Sequence, residues 1–114
     1  MASEEKILPV EKKLRALAMS FPETHEDFPW GHRAWKVKKK AFVFCGPTED
    51  GGFSMSVKLT ASHRVALKLK FVIPTRYNLG KSGWITATFK KGEKPPVPVL
   101  SDWVRESYCA VAPK

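Results

Sequence analysis

The residues with the most recognisable chemistry form the stretch Leu79-Gly80-Lys81-Ser82 near the middle of the chain. The last three match the end of the phosphate-binding loop G-x-x-x-x-G-K-[ST], in which backbone N–H groups and a following helix hold a phosphate. Thr75 stands where that loop has its first glycine. Residues 71–73 are compatible with a short strand, but Pro74 interrupts it, and residues 85–88 favour a strand over a helix. We therefore predict a turn that leads into a strand, not a site of nucleotide hydrolysis.

The histidines and cysteines show no spacing typical of a metal or nucleophile site. The two cysteines lack a C-x-x-C arrangement and the three histidines lie far apart in the chain, so neither a zinc site nor a disulfide framework is indicated. No base is placed to activate a thiol. The sequence thus predicts a non-enzymatic protein with no catalytic residue, no metal and no cofactor. The residues concerned are His25, His32, His63, Cys45 and Cys109.

Charge is the strongest compositional signal. The 114 residues carry a formal net charge of +9. Residues 1–30 hold six acidic and four basic residues, whereas residues 31–114 hold five acidic and sixteen basic ones. Such a field attracts polyanions, including nucleic acid. A solvated basic surface without an acidic partner is the alternative.

Composition and hydropathy indicate an ordinary globular protein. Hydrophobic residues make up 43% of the chain and charged residues 27%, as in soluble domains. No apolar run approaches the ~20 residues of a membrane span, and the first thirteen residues lack the apolar segment of a signal peptide. We expect one domain over residues 1–114, with residues 1–8 a loose lead-in, located in the cytoplasm and without contact with a membrane.

An amphipathic helix opens the domain. Pro9 suits its first turn, and Phe21-Pro22 ends it because the residue before proline avoids the helical region. Glu11 and Arg15 are expected to form an i,i+4 ion pair on the exposed face. The buried face comprises Val10, Leu14, Leu17, Ala18 and Phe21.

Alternating strands follow the helix. Trp35 and Val37 begin the alternation, and after Lys39-Lys40 the run 41–45 places Phe42 and Phe44 on one side of a strand and Ala41, Val43 and Cys45 on the other. The turn 47–52 then leads to a third strand over residues 53–59. Consecutive strands joined by short turns predict an antiparallel meander with one buried face.

The C-terminal half contains two further helices. Residues 60–70 fit a short helix capped by Thr60 or Ser62, although they also alternate as a strand would. After the strand 84–89, prolines at 95, 96 and 98 form a stiff lead-in to a final amphipathic helix, with Ser107 packed on its apolar face. This order, α, β-meander, α, β, α, predicts an α+β fold with helices on one face of an antiparallel sheet.

Four tryptophans allow two interpretations. Trp84 and Trp103 fall on predicted core faces. Trp30 and Trp35 flank the bend Gly31-His32-Arg33, where aromatic and basic side chains together could stack on bases or dock a protein. Half-buried packing is the alternative for both.

The assembled pattern resembles the MmcQ/YjbR family of small bacterial proteins. The resemblance implies an α+β fold of the kind found in type III secretion chaperones, also CyaY-like or frataxin-like, and a DNA-binding role through paired wings. Relatives often carry glycine in the turn where this chain has Lys38-Lys39, so a positive φ there would cost about 1 kcal/mol. The motifs that carry the resemblance are Leu14-Arg15, Ser20-Phe21-Pro22-Glu23, Pro29-Trp30-Gly31-His32, Trp35-Lys36-Val37, Lys40-Ala41-Phe42, Leu79-Gly80-Lys81-Ser82-Gly83-Trp84 and Trp103-Val104-Arg105-Glu106-Ser107-Tyr108.

Two functional hypotheses follow. In the first, the protein is a monomer or weak dimer that binds the phosphate backbone of DNA through two basic wings, with weak sequence preference. In the second, it is a chaperone-like interaction module that docks a protein partner on its sheet. A small-molecule or enzymatic role has only the Gly-Lys-Ser turn in its favour. The predicted DNA contacts are Lys36, Lys38, Lys39 and Lys40 in one wing, Lys90, Lys91 and Lys94 in the other, and Arg76 and Lys81 between them.

Overall fold

The computed structural model describes residues 9–27, 32–75 and 83–112. In these residues a six-stranded sheet is combined with three helices. The predicted lead-in, residues 1–8, lies outside the described part. The helices are α1 (Pro9–Met19), α2 (His63–Ala66) and α3 (Val97–Val111). The strands are β1 (Thr24–Asp27), β2 (Arg33–Val37), β3 (Lys40–Pro47), β4 (Phe53–Lys58), β5 (Val72–Pro74) and β6 (Trp84–Phe89).

The sheet is antiparallel throughout, in the order β1-β2-β3-β4-β6-β5. The predicted α+β class and meander are therefore confirmed, and so is the short helix after β4. Strand β1 was not predicted, because its sequence Thr-His-Glu-Asp is polar throughout and shows no apolar alternation. It forms because β2 offers it a partner edge, with Thr24 opposite Val37 and Asp27 opposite Ala34.

The core lies between one face of the sheet and the helices α1 and α3, which also pack against each other. Ala66 of α2 joins the same core. Burial of these apolar side chains is the main contribution to the stability of the fold. We call the opposite face of the sheet the distal face. The largest wholly buried apolar side chains are Trp35, Phe42, Leu14, Met55, Leu59, Ile85 and Leu100.

The structure changes the interpretation of Trp35 and of Trp84. Trp35 is wholly buried in the core and donates its indole N–H to Glu26 at 2.8 Å, so it cannot belong to an exposed aromatic surface. Trp30 lies outside the described residues. Trp84 is buried, but it pairs with Lys58 and lies on the distal face, where its ring centroid is 5.5 Å from that of Phe44. The prediction that Trp84 lies on the core face was wrong.

A buried network of ion pairs connects α1 to the sheet. Glu11 is only 1% exposed and accepts a hydrogen bond from Arg33 Nε at 3.0 Å. Arg15 instead pairs with Glu26 at 2.9 Å, and Arg33 also reaches Glu26 at 3.2 Å. The predicted exposed pair of Glu11 with Arg15 was therefore wrong. A carboxylate can be buried here because a guanidinium and a further donor satisfy it.

A β-bulge divides β3. Trp35 lies opposite Val43 and Lys36 opposite Ala41, so Phe42 is the extra residue. Because the bulge shifts the alternation, Phe42 is wholly buried whereas Phe44 is 41% exposed on the distal face. The prediction that Phe42 and Phe44 share one side was wrong for this reason.

Ser107 bridges β3 and β4 beside the bulge. It is wholly buried on α3, donates its hydroxyl to the Phe42 carbonyl at 2.5 Å and accepts the Lys58 N–H at 2.8 Å. Its hydroxyl thus replaces a direct bond between the ends of β3 and β4. The structure assigns Ser107 a bridging role within the packed interface.

Glu106 performs a related function for the loop before α2. It accepts hydrogen bonds from the Ala61 and Ser62 N–H groups at 2.8 and 2.9 Å and from the Ser62 hydroxyl at 2.8 Å. Ser62 precedes α2 but its side chain does not cap the helix. Partial burial opposes ionisation of Glu106, but the hydrogen bonds from Ser62 and Ala61 outweigh it and lower its pKa.

The segment after the Gly-Lys-Ser sequence is β6, which begins at Trp84. The helix that a phosphate-binding loop requires is therefore replaced by a strand, as predicted. Among the described helices, none is both long and apolar enough to cross a membrane.

Candidate nucleic-acid interface

The turn between β2 and β3 presents three consecutive lysines, Lys38, Lys39 and Lys40, which we call the hairpin cluster. Val37 pairs with Lys40, so Lys38 and Lys39 form the turn itself. Lys38 has φ of +56°, a left-handed conformation that favours glycine. Its N–H donates to the Glu23 carbonyl at 3.1 Å, and Glu23 also has a positive φ, +62°. The chain therefore keeps a lysine where glycine would be less strained.

Two of the three ammonium groups in the hairpin cluster are available for a ligand. Lys38 Nζ lies 3.8 Å from a Glu23 carboxylate oxygen. Lys39 and Lys40 are exposed, and neither forms an ion pair with another residue in the described ranges. Exposed lysines of this kind are suited to phosphate contact, because little must be displaced before they bind.

The flanks of the segment 76–82 lie at the same end of the sheet as the hairpin cluster. Thr75 donates its N–H to the Trp84 carbonyl at 3.2 Å, and Leu59 donates to the Gly83 carbonyl at 2.9 Å. Both contacts lie beside the end of β4, where Lys58 is the last residue. Arg76 and Lys81, the remaining predicted contacts, lie outside the described residues.

Lys36 has a different environment from the hairpin cluster. It lies within β2 on the distal face and its ammonium is 2.8 Å from an Asp27 carboxylate oxygen. The hydrogen bond from Lys36 lowers the pKa of Asp27, so this carboxylate is charged at neutral pH. Lys36 is therefore already paired and less available to phosphate than Lys39 or Lys40.

The second predicted set, Lys90, Lys91 and Lys94, lies at the opposite end of the sheet, between β6 and α3. We call it the connection cluster. Its backbone is a turn in which Glu93 N–H donates to the Lys90 carbonyl at 3.0 Å and Lys90 N–H donates to Glu93 Oε1 at 2.6 Å. The eight residues of β3 separate the two clusters by about 23 Å at about 3.3 Å per residue.

Acidic groups accompany the connection cluster more closely than the hairpin cluster. The turn between β3 and β4 carries Glu49 and Asp50 at that end of the sheet. The Thr48 hydroxyl, followed by the Gly52 N–H and more weakly Lys90, lowers the pKa of Asp50. The described carboxylates at the hairpin end are Glu23, 3.8 Å from Lys38 Nζ, and Glu106, which is already bonded to Ala61 and Ser62. We conclude that the positive potential is less compensated at the hairpin end.

The distal face between the two clusters carries apolar and hydroxyl groups in one row. Phe44, Ser56, Thr86 and Ile73 lie opposite one another across four neighbouring strands. Phe44 is 41% and Ile73 51% exposed. Ser56 and Thr86 hydroxyls are 2.8 Å apart, and Thr86 also contacts Thr75 at 3.0 Å. Sequence analysis missed this surface, because only the bulge reveals that Phe44 faces away from the core.

The cysteines differ in their surroundings. Cys45 is buried with its sulfur 3.7 Å from a Glu11 oxygen. Burial, followed by the negative charge of Glu11, raises the pKa of its thiol well above the usual value. The thiol therefore stays protonated and is a poor nucleophile. Cys109 is free and exposed. Within the described ranges, no group of three or more His, Cys, Asp or Glu side chains is arranged to hold a metal ion.

The fold and its basic turns define a small α+β domain with an antiparallel sheet, helices on one face and lysine clusters at both ends of the sheet. The family model named YjbR matches residues 19–110. The chain belongs to the YjbR family, which confirms the resemblance seen in its motifs. A comparison with curated proteins finds no match.

Proposed function

We propose that this protein binds DNA, mainly through the phosphate backbone and with weak sequence preference. The observation that carries the proposal is the hairpin cluster, in which Lys39 and Lys40 extend from a sheet turn without an ion-pair partner among the described residues. Such cations release counterions from DNA when they contact phosphates, which is the main driving force for non-specific binding. The net charge of +9 supports the same function.

The two lysine clusters suggest how DNA would be engaged. Their separation of about 23 Å exceeds the ~12 Å width of the major groove. One cluster would therefore reach phosphates on one side of a groove and the other cluster phosphates on the far side. In this proposal the protein acts in the cytoplasm.

Weak sequence preference follows from the helices. In this proposal the contacts come from turns at the ends of the sheet and not from α1 or α3, which pack against the sheet and against each other, so no recognition helix lies in a major groove. The exposed side of α3 carries Asp102 paired with Arg105 at 3.0 Å, so this pair presents no net positive charge to phosphate. Contacts limited to phosphates position a protein on DNA but do not read its sequence.

Fluorescence anisotropy with a labelled duplex tests this proposal. The variant Lys39→Gln/Lys40→Gln removes two charges and leaves Lys38 in its turn. At 0.15 M salt, the loss of two phosphate contacts should weaken binding by about 30-fold. The matched control Lys12→Gln/Lys68→Gln removes two exposed charges elsewhere and should weaken binding only slightly. Equal losses in both variants would show that net charge alone attracts the DNA.

A second candidate function is docking of a protein partner on the distal face. The exposed side chains Phe44 and Ile73 favour it, since apolar groups at the centre of a patch supply much of the binding energy of interfaces. Strand addition is disfavoured at both edges of the sheet, by Pro74 in β5 and by the charged residues of β1. Docking would therefore use the face and not an edge.

Light scattering with and without a candidate protein partner tests the docking function. A second copy of the chain is the simplest partner, and the molecular mass should then rise with concentration. Phe44→Ser should abolish that rise while leaving DNA binding unchanged. A mass that stays monomeric at all concentrations would argue against self-association through this face.

A further inference from the structure

A cleft of about 530 Å³ lies at the connection end of the sheet, on the side of the helices. It is bounded by the start of α1, the turn between β3 and β4, the end of β6 and the lead-in to α3. Its floor is apolar and its rim is basic. The floor is formed by Val10, Phe53, Phe89 and Val97, and the rim carries Lys13, Lys90, Lys91 and Lys94.

Two glycines in the turn between β3 and β4 line the cleft. A Cβ atom on Gly52 would lie 2.0 Å from the Phe89 carbonyl oxygen, so this position admits no side chain. Gly51 has φ of +88°, and the carbon chain of Lys91 lies against it, 3.2 Å from where a Cβ would be. The turn is fixed by the Thr48 hydroxyl, which accepts the Gly52 N–H at 2.8 Å.

The rim is positively charged, although Glu49 and Asp50 lie in the turn beside it. Of the four lysines, none forms an ion pair with any residue that the structure describes. Glu93 is the one carboxylate among the described lining residues, and it already accepts the Lys90 N–H at 2.6 Å. The described lining thus combines an apolar floor with four lysines and a single carboxylate. Anions are favoured at such a site over cations or neutral molecules.

We propose that this cleft binds a small organic anion with an apolar body, such as a medium-chain or aromatic carboxylate. Its volume falls within the ~300–1,000 Å³ of small-molecule pockets, which combine an apolar lining with a few polar groups. The floor would bury the apolar body and the rim lysines would pair with the carboxylate. A phosphate ion would make no apolar contact with the floor, and a neutral hydrocarbon would form no ion pair with the lysines.

This inference does not depend on DNA binding, although the two share Lys90, Lys91 and Lys94. A carboxylate in the cleft would neutralise part of the connection cluster. It would not touch the hairpin cluster, about 23 Å away along β3. A bound anion should therefore weaken DNA binding at one end of the sheet only.

Calorimetric titration with decanoate tests the cleft, with decan-1-ol and butyrate as matched probes. Decanol keeps the apolar body without the charge, and butyrate keeps the charge with a shorter body. Decanoate should bind saturably with one site, at least tenfold more tightly than either probe. Lys91→Gln/Lys94→Gln should weaken decanoate binding at least tenfold, because both side chains are exposed on the rim and the variant should fold normally.

The control is the hairpin variant Lys39→Gln/Lys40→Gln, which should bind decanoate as the wild type does. This control separates the two proposals, because it is expected to lose DNA and to retain the carboxylate. Absence of saturable decanoate binding to the wild type would overturn the inference. Equal affinity for decanol and decanoate, or no loss in the cleft variant, would also overturn it, since either would indicate only apolar adsorption.

Discussion

Replacement of Ser107 by alanine probes the most constrained contact between α3 and the sheet. The hydroxyl is wholly buried and bridges the Phe42 carbonyl and the Lys58 N–H. Alanine removes one oxygen atom and leaves a backbone acceptor and a backbone donor without this partner. The pairing of β3 with β4 begins at Val43 opposite Val57, so Phe42 and Lys58 lie just beyond it.

The expected loss of stability follows from the two backbone groups that lose their hydrogen-bond partner. Each unsatisfied buried backbone group costs about 1–3 kcal/mol. The higher helix propensity of alanine offsets about 0.5 kcal/mol of this loss of stability. Closer approach of the two strands offsets a further part of the loss. We expect Ser107→Ala to lower the free energy of unfolding by about 2–4 kcal/mol, or the melting temperature by about 4 °C per kcal/mol.

Urea denaturation followed by tryptophan fluorescence measures this effect. Ser101→Ala on the same helix is the matched control, because the Ser101 side chain forms no hydrogen bond with another described residue. It should change stability by less than about 0.5 kcal/mol. If Ser107→Ala cost no more than the control, the bridge would not be a stabilising contact and the two strands would have to bond directly or through water.

Three further predictions concern single side chains. Lys38→Gly should raise the free energy of unfolding, measured by urea denaturation, by about 0.5–1 kcal/mol, because glycine tolerates the positive φ. A loss of stability would show that the contact of Lys38 with Glu23 outweighs the backbone strain. The pKa of Glu106 in the folded protein lies below its value in the unfolded chain, which is near 4.5. The ionised carboxylate therefore stabilises the fold at pH values above 4.5. This stabilisation is lost as the pH falls through the folded pKa. Glu106→Gln should therefore lower stability at pH 7 and flatten the acid limb of the stability–pH curve, whereas an unchanged acid limb would contradict this assignment. Ellman's reagent should label Cys109 in the native protein and Cys45 only after unfolding, because Cys45 is buried and the pKa of its thiol is raised. Labelling of both thiols in the native protein would contradict the burial of Cys45.

Much of the fold was predictable because it depends on local pattern. The apolar face of α1, the hairpin at Lys38-Lys39 and the strand after Gly83 each follow from the spacing of apolar residues or from a turn residue. These elements need no knowledge of distant parts of the chain.

The errors came from features that depend on tertiary contact. Glu11 follows the apolar residue Val10 directly, and only the approach of Arg33 from β2 explains why it is buried. The two faces of β3 were misassigned because a bulge leaves no consistent mark in a sequence. Strand β1 is stabilised by contacts such as that of Glu26 with the Trp35 indole, and its own residues do not predict it.

The candidate site was predicted as a set of residues but not as an arrangement. The lysines and their division into two wings were predicted from charge, from their clustering at hairpin ends and from the family resemblance, whereas the placement of the two clusters at opposite ends of the sheet depends on the strand order. The cleft at the connection end was not foreseen, because Lys13 and Val10 of α1 reach it only through the packing of the helix on the sheet.

The salt dependence of duplex binding is the most direct measurement of DNA recognition by this protein. Anisotropy titrations between 50 and 300 mM salt should give a linear plot of log K against log salt, with a slope of about −0.9 per phosphate contacted. Lys39→Gln/Lys40→Gln should reduce the magnitude of that slope by about 1.8, and the Lys12→Gln/Lys68→Gln control should leave it nearly unchanged. Identical slopes for all three proteins, or no binding by the wild type at physiological salt, would contradict DNA recognition through the hairpin cluster.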